Sequence, residues 1–192
     1  MNRSSHLTTD AELYSGSVAR LASLFYDDLA ELGRFDPVTP AEMPERDRQL
    51  LAHNEHMTVT LEEASRGPVA VRALDEWRDE NSYARNSLLA RQQDGGILQF
   101  GIMRIWLRDL PATVQDEITV KRLPLGRVLV NHNLLREVEL ITLWKIAPGP
   151  ALRKHLPGLQ SSNGQLVYGR SAQILVDERP TVQMLEIVAP TH

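Results

Sequence analysis

Three arginines and one glutamate interrupt apolar runs in this chain, and their spacing sets each of them on an apolar face. Alternate residues of an extended strand point to the same side. Glu186 therefore shares a face with Val182, Met184 and Val188. Arg85 shares one with Tyr83, Ser87 and Leu89, and Arg170 one with Leu166, Tyr168, Ala172 and Ile174. Arg104 shares one with Leu98, Phe100, Ile102 and Trp106. An isolated buried carboxylate is costly, so Glu186 must be paired, protonated or in contact with a ligand. A strand-end Glu reaching solvent and a structural ion pair are the competing readings. Any one of these arginines, taken alone, reads better as an edge-strand side chain snorkelling to water. Several guanidinium forks on one sheet, with one buried carboxylate, point instead to a closed pocket for a small organic acid.

Other chemistries find little support. The chain has no cysteine, which excludes disulfides, Cys-ligated zinc and thiol catalysis. Of the six histidines, His53 and His56 are three apart, and none shows the HxxxH spacing of a helical metal site. No metal and no organic cofactor is expected. GxSxG, GxxxxGK[ST] and GxGxxG are absent, so no motif supports serine hydrolysis, a phosphate loop or a dinucleotide. The net charge of -4 argues against nucleic acid as a partner. No run of 18 uncharged apolar residues occurs and residues 1–10 are polar, so the expectation is a cytoplasmic protein with no membrane partner. Monomer and homodimer are both compatible with the sequence.

Positioning these side chains requires a sheet. With 192 residues the chain has the length of one domain. Thr9 or Asp10 could cap a helix running to about Leu32, with Leu13, Val18, Leu21, Leu24, Phe25, Leu29 and Leu32 on one face. Residues 35–44 hold three prolines and read as a connector, and a more polar helix is predicted over 41–53. The segment 57–64 suits a strand by propensity, but helix is favoured. Strands are predicted over 68–77, 82–91, 97–107, 134–146, 166–176 and 181–188. Asp94-Gly95-Gly96 marks a hairpin, and residues 177–180 mark another. A short helix is expected over 110–119, a helical or irregular insertion over 148–157, and 124–131 is ambiguous. Trp77, Trp106 and Trp144 fall in predicted strands and are expected in the core. The result is an α+β domain: a six-stranded antiparallel sheet covered by helices, with a helical extension over 1–56 and sheet and flaps over 57–190.

Several short motifs, in order, extend this reading. They are Met57-Thr58, Tyr83-Ala84-Arg85 with Leu88-Leu89, and Pro124-Leu125-Gly126-Arg127 with Leu135-Arg136-Glu137. Tyr168-Gly169-Arg170 and Leu185-Glu186 complete the set. Over about two thirds of its length the chain thereby resembles the chorismate lyase-like family, the chorismate–pyruvate lyases. Asn86 after Arg85, the position of Arg104, the 148–164 insertion and the long N-terminal helix look more like its divergent, actinobacterial-type branch.

The resemblance implies a six-stranded antiparallel sheet enclosing the ligand under helical flaps. It also implies a cofactor-independent elimination of pyruvate from chorismate that leaves 4-hydroxybenzoate. Arg85 would bind the ring carboxylate and Glu186 would sit by the 4-hydroxyl, as an orienting acceptor or as a general base. Leu125 would contribute a main-chain contact, Met57 would line the pocket, and Arg170 would bind substrate from its matching motif. Because the product ring is aromatic, the protein mainly has to hold a reactive conformer in a dry pocket. The same fold also serves as a small-effector-binding domain of transcription regulators, which catalyses nothing. A third expectation is a lyase of secondary metabolism giving a different hydroxybenzoate.

Overall fold

The computed structural model describes residues 17–120, 122–134, 137–159, 164–176 and 178–190. The strands are β1 (Gly33–Val38), β2 (Val69–Arg78), β3 (Ser82–Arg91), β4 (Ile97–Trp106), β5 (Glu137–Pro148), β6 (Val167–Val176) and β7 (Arg179–Val188). Residues 17–22 form α1; α2 (Glu45–Leu51), α3 (Met57–Ser65), α4 (Ala112–Val120), α5 (Leu125–Asn131) and α6 (Pro150–His155) follow. All strand pairs are antiparallel, in the order β1-β5-β6-β7-β4-β3-β2. The β3–β4 hairpin turns at the expected place: Gly95 takes φ +72°, open to glycine at no steric cost, and Asp94 Oδ1 accepts from the Gly96 N–H at 2.9 Å.

Two-residue alternation gives the sheet two apolar faces. On one, Phe100, Ile102, Trp144, Ile146, Leu185 and Ile187 pack with Val18, Leu21 and Ala22 of α1 and Leu152 of α6. On the other, the core is split. Ile105, Ile174 and Val182 pack with Val114, Ile118, Val128 and Leu129 of α4 and α5. Leu89, Leu143 and Val188 pack with Leu51, Met57 and Leu61 of α2 and α3. The candidate site occupies the gap between these clusters.

The α+β class and the antiparallel sheet match the sequence reading, but the sheet has seven strands where six are expected. The additional strand, β1, lies in the segment read as a connector, so residues 1–56 are not purely helical. It pairs with β5, with Pro37 opposite Trp144. An edge strand tolerates proline because its outward N–H needs no partner. Packing adds to the pairing, since Phe35 meets the Trp144 ring edge-on at 5.9 Å between centroids.

The helix predicted to reach Leu32 lies outside the described residues over its first part and is helical only to residue 22 in the rest. A new capping box interrupts it: Asp28 Oδ1 accepts from the Ala30 N–H at 2.8 Å, and Glu31 reaches back to the Asp28 N–H. A 3-10 turn, Leu29–Glu31, results. Leu24, Phe25 and Leu29 still pack on the core, by a bent path. The ambiguous stretch 124–131 is helical, 57–64 falls within α3, and the helix read over 41–53 contracts to α2 behind a 3-10 turn, Pro40–Glu42. Leu135, Arg136 and Asp177 lie outside the described residues.

Candidate functional site

Strand register decides which of the interrupting side chains meet. Arg170 stands directly opposite Glu186 in the β6–β7 pair, and Gly101 stands opposite Glu186 in the β4–β7 pair. Ser87 faces Gly101 across β3–β4, so one row crosses the sheet as Ser87, Gly101, Glu186 and Arg170. The adjacent row runs Arg85, Met103, Met184 and Ala172. These rows floor a cavity with an empty volume of about 570 Å³, its mouth included. The first turns of α3 (Met57, Thr58, with His56 before them) and α5 (Leu125, Gly126, with Pro124 before them) form its roof. At those turns the backbone N–H groups have no intrahelical partner and the helix dipole favours negative charge.

The two roof helices meet closely because one carries a glycine. A Cβ on Gly126 would lie 2.9 Å from Thr58 Oγ1 and 3.3 Å from its Cβ. The Arg127–Glu62 ion pair adds a second tie between α5 and α3. The Pro-Leu-Gly turn and the Met-Thr step are therefore two sides of one helix contact.

The two floor arginines differ in their partners. Arg170 is fully buried, and its guanidinium is committed on three sides. Nε donates to Glu186 Oε2 at 2.7 Å, Nη1 to the His53 carbonyl at 2.8 Å, and Nη2 to the Glu55 carbonyl at 3.0 Å. It thus holds Glu186 in place and ties the α2–α3 loop to the sheet. Arg85 is 2% exposed, yet its Nε and Nη1 have no hydrogen-bond partner. Burial pulls its pKa below the ordinary arginine value, offset in part by Tyr83 on the same face and by the charge of Glu76, which stands opposite Arg85 in the β2–β3 pair. Tyr83 itself is pushed up to about 12, mainly by burial, and donates to Glu76 at 3.1 Å. Among the described residues no carboxylate forms an ion pair with Arg85. A buried guanidinium with free donors is a receptor for a planar anion.

Arg85, Glu186, Met57, Leu125 and Arg170 all line this one cavity. Arg104 does not belong with them. It lies on the opposite face of the sheet, where it bonds Ser82 Oγ and stacks over Trp77 and Trp106, 5.5 and 5.2 Å from their centroids. Those two tryptophans are half-buried platforms for an arginine, whereas Trp144 is core. His53 is used structurally: Nε2 meets the Leu50 carbonyl and Nδ1 accepts from the Glu55 N–H.

Sequence reasoning missed His56, Thr58, Ser87, Gln99 and Gly101 as lining residues. For Gln99 a signal was present, since alternation sets it with Gly101, Met103 and Ile105, a polar group on an apolar face. His56 carries no comparable signal, because only the helix cap brings it over the sheet. Burial lowers its pKa and keeps it neutral at pH 7.

No family model and no curated protein matches the chain. Among solved structures, PhnF from Mycobacterium smegmatis is similar over 92% of this chain and 98% of its own, with TM-score 0.52 and 10% identity. The chain shares that fold. The ligand-binding domain of a regulator ascribed to the GntR family, from Bordetella bronchiseptica, aligns over 65% of this chain and 87% of its own, with TM-score 0.49 and 11% identity. A GntR-family transcriptional regulator from Bacillus cereus aligns over 64% and 92%, with TM-score 0.46 and 10% identity. Among the described residues no helix is long and apolar enough to cross a membrane.

Proposed function

We propose that this chain is a ligand-binding domain that holds a small monocarboxylic acid, aromatic in its simplest form, under the α3–α5 roof and releases it unchanged. One observation carries the reading: Arg85, buried in the cavity floor, keeps two guanidinium nitrogens without partners. A ligand carboxylate that grips one edge of the guanidinium, through Nη2 and either of these nitrogens, supplies one of them with a partner in the bidentate geometry that arginine favours. Glu186 lies two strands away and one row along, about 10 Å across the sheet and about 7 Å along it between Cα atoms. With one oxygen held by Arg170, it offers an acceptor to a hydroxyl or amino group at the far end of the guest.

Chorismate–pyruvate lyase activity is the second reading, favoured because Arg85, Glu186, Met57 and Leu125 line the same cavity. The charge inventory weighs against it. Chorismate carries two carboxylates, and of the two arginines among the described lining residues Arg170 is already ion-paired, which leaves Arg85 alone to meet them. A buried second carboxylate would have no counter-charge.

The test uses the purified chain in two arms. Calorimetric titration with 4-hydroxybenzoate is expected to give saturable binding that Arg85→Ala removes. Incubation with chorismate, read by a coupled pyruvate assay, is expected to match the no-protein control. Stoichiometric pyruvate would replace the binding reading with the lyase, and absence of any carboxylate binding would end both.

A further inference from the structure

The carboxylate end of the cavity does not account for the polar groups at its other end. Gln99 is 4% exposed, and its Oε1 is buried without a hydrogen-bond partner. It lies on β4 two residues beyond Gly101, whose cross-strand partner is Glu186. Gln99 is thus the diagonal neighbour of Glu186, about 7–8 Å away between Cα atoms. A Cβ on Gly101 would stand 3.2 Å from Gln99 Nε2, so the amide folds over the glycine toward the Glu186 row. Arg85 faces Met103, four residues from Gln99 along β4, or about 13 Å. The cavity therefore has one cationic end and one end where a carboxylate and an amide stand side by side. His56, in the roof, adds a buried Nε2 that also has no partner.

A buried polar atom left without a partner costs about 1–3 kcal/mol, so Gln99 marks a place where a guest supplies one. The two ends of its amide are interchangeable by rotation, and either presents a hydrogen-bonding group to the same spot. Gly101 keeps that spot open, since any side chain there would press on the amide.

Resting on Arg85 as the carboxylate site, we infer that the ligand bears two hydrogen-bonding groups on adjacent carbons opposite its carboxylate, one meeting Glu186 and the other Gln99. The matching class is the vicinal dihydroxy acids, of which catechol-type benzoates are the flat representatives. A singly substituted benzoate leaves Gln99 unsatisfied.

The experiment is calorimetric titration of the full chain with benzoate, 4-hydroxybenzoate and 3,4-dihydroxybenzoate, repeated with Gln99→Met, which is close in shape. The wild type is expected to bind 3,4-dihydroxybenzoate about tenfold more tightly than 4-hydroxybenzoate, one hydrogen bond's worth. In Gln99→Met that preference is expected to vanish, the two acids then binding within about twofold of each other. Equal wild-type affinities for the two acids, or a preference that survives in Gln99→Met, would overturn the inference and leave the Arg85 reading standing. If 4-hydroxybenzoate and benzoate also fail to bind, the Arg85 reading falls and takes this inference with it. The wild-type ligand comparison decides the matter even if the variant does not fold.

Discussion

Arg85 and Arg170 rise from the same sheet face, one row and three strands apart, and of the two only Arg170 is ion-paired with the carboxylate opposite it. A buried ion pair with all its donors used is structural. A buried cation with donors to spare is a demand that something outside the chain must meet. The contrast separates two residues that look alike in the sequence, and it gives their substitutions opposite expected effects.

Replacing Arg85 by Met removes a buried charge that has no ion pair, at little change in volume. The ligand-free variant is expected to be more stable than wild type by about 1 kcal/mol or more, raising Tm by about 2–4 °C for each kcal/mol. It is also expected to show no Tm increase with 4-hydroxybenzoate, whereas the wild type does. Scanning calorimetry with and without the acid reads both effects. A drop in ligand-free Tm would mean that Arg85 has a partner within the fold.

Arg170→Met is expected to act in the other direction. It strands the Glu186 carboxylate and frees the carbonyls of His53 and Glu55, and breaking a buried pair typically costs about 3–5 kcal/mol. Glu186→Gln should cost less, because the amide oxygen still accepts from Arg170 Nε. Urea unfolding midpoints of the two variants would rank them, and an Arg170→Met variant as stable as wild type would contradict the pairing.

The roof contact can be tested by adding a single methyl group. Gly126→Ala places a Cβ against Thr58 Oγ1 and is expected to destabilise by about 1–3 kcal/mol through overpacking. Thr58→Ala removes the hydroxyl it strikes, so the double variant should recover part of that loss. A double-mutant cycle with no coupling between the sites would rule out the close approach.

Acid should weaken the fold before the carboxylates titrate. His53, His56 and His155 all have pKa values lowered from 6.5, chiefly by burial. Above 6.5 they are neutral in both states and contribute nothing to the pH dependence. Below it the unfolded chain takes up protons that the folded chain refuses, so stability falls as pH drops through 6.5 toward the folded values. Tyr83 mirrors this on the alkaline side: with its pKa pushed up to about 12, stability is lost as pH rises from 10. Equilibrium unfolding from pH 5 to 8 is expected to slope downward toward acid. A flat profile would mean that these imidazoles are open to water.

Much of this architecture was legible in the sequence, for identifiable reasons. Alternation located β2 to β7, and Asp94-Gly95-Gly96 located the first hairpin, because both signals are local. β1 escaped because its stability lies in pairing with β5 and in the Phe35–Trp144 contact, neither of which is local. The helix expected to reach Leu32 was read too long because Phe25 and Leu29 keep helical spacing while the chain turns at Asp28. Within the site, alternation assigned Arg85, Arg170 and Glu186 to the correct faces of their own strands. It could not say which faces of different strands coincide, so Arg104 was grouped with residues on the far side of the sheet. Gln99 and His56 gain meaning only once register and the α3–α5 roof bring them over the same space.

The bonds from Arg170 to the His53 and Glu55 carbonyls have a consequence for how a guest gets in. The roof is one slab, α3 and α5 joined by Arg127–Glu62 and by the Gly126–Thr58 contact, and its hydrogen bonds to the floor lie along the α3 edge, from Arg170 to the His53 and Glu55 carbonyls at one end and from the Val69 N–H to Glu62 at the other. A slab pinned along one edge pivots rather than lifts. The travel is least at residues 53–57 and greatest at the far end of α5 and the α4 helix resting against it. Hydrogen–deuterium exchange should therefore be slow at the pin and faster over 112–131, and an occupying acid should quiet the moving edge far more than the fixed one.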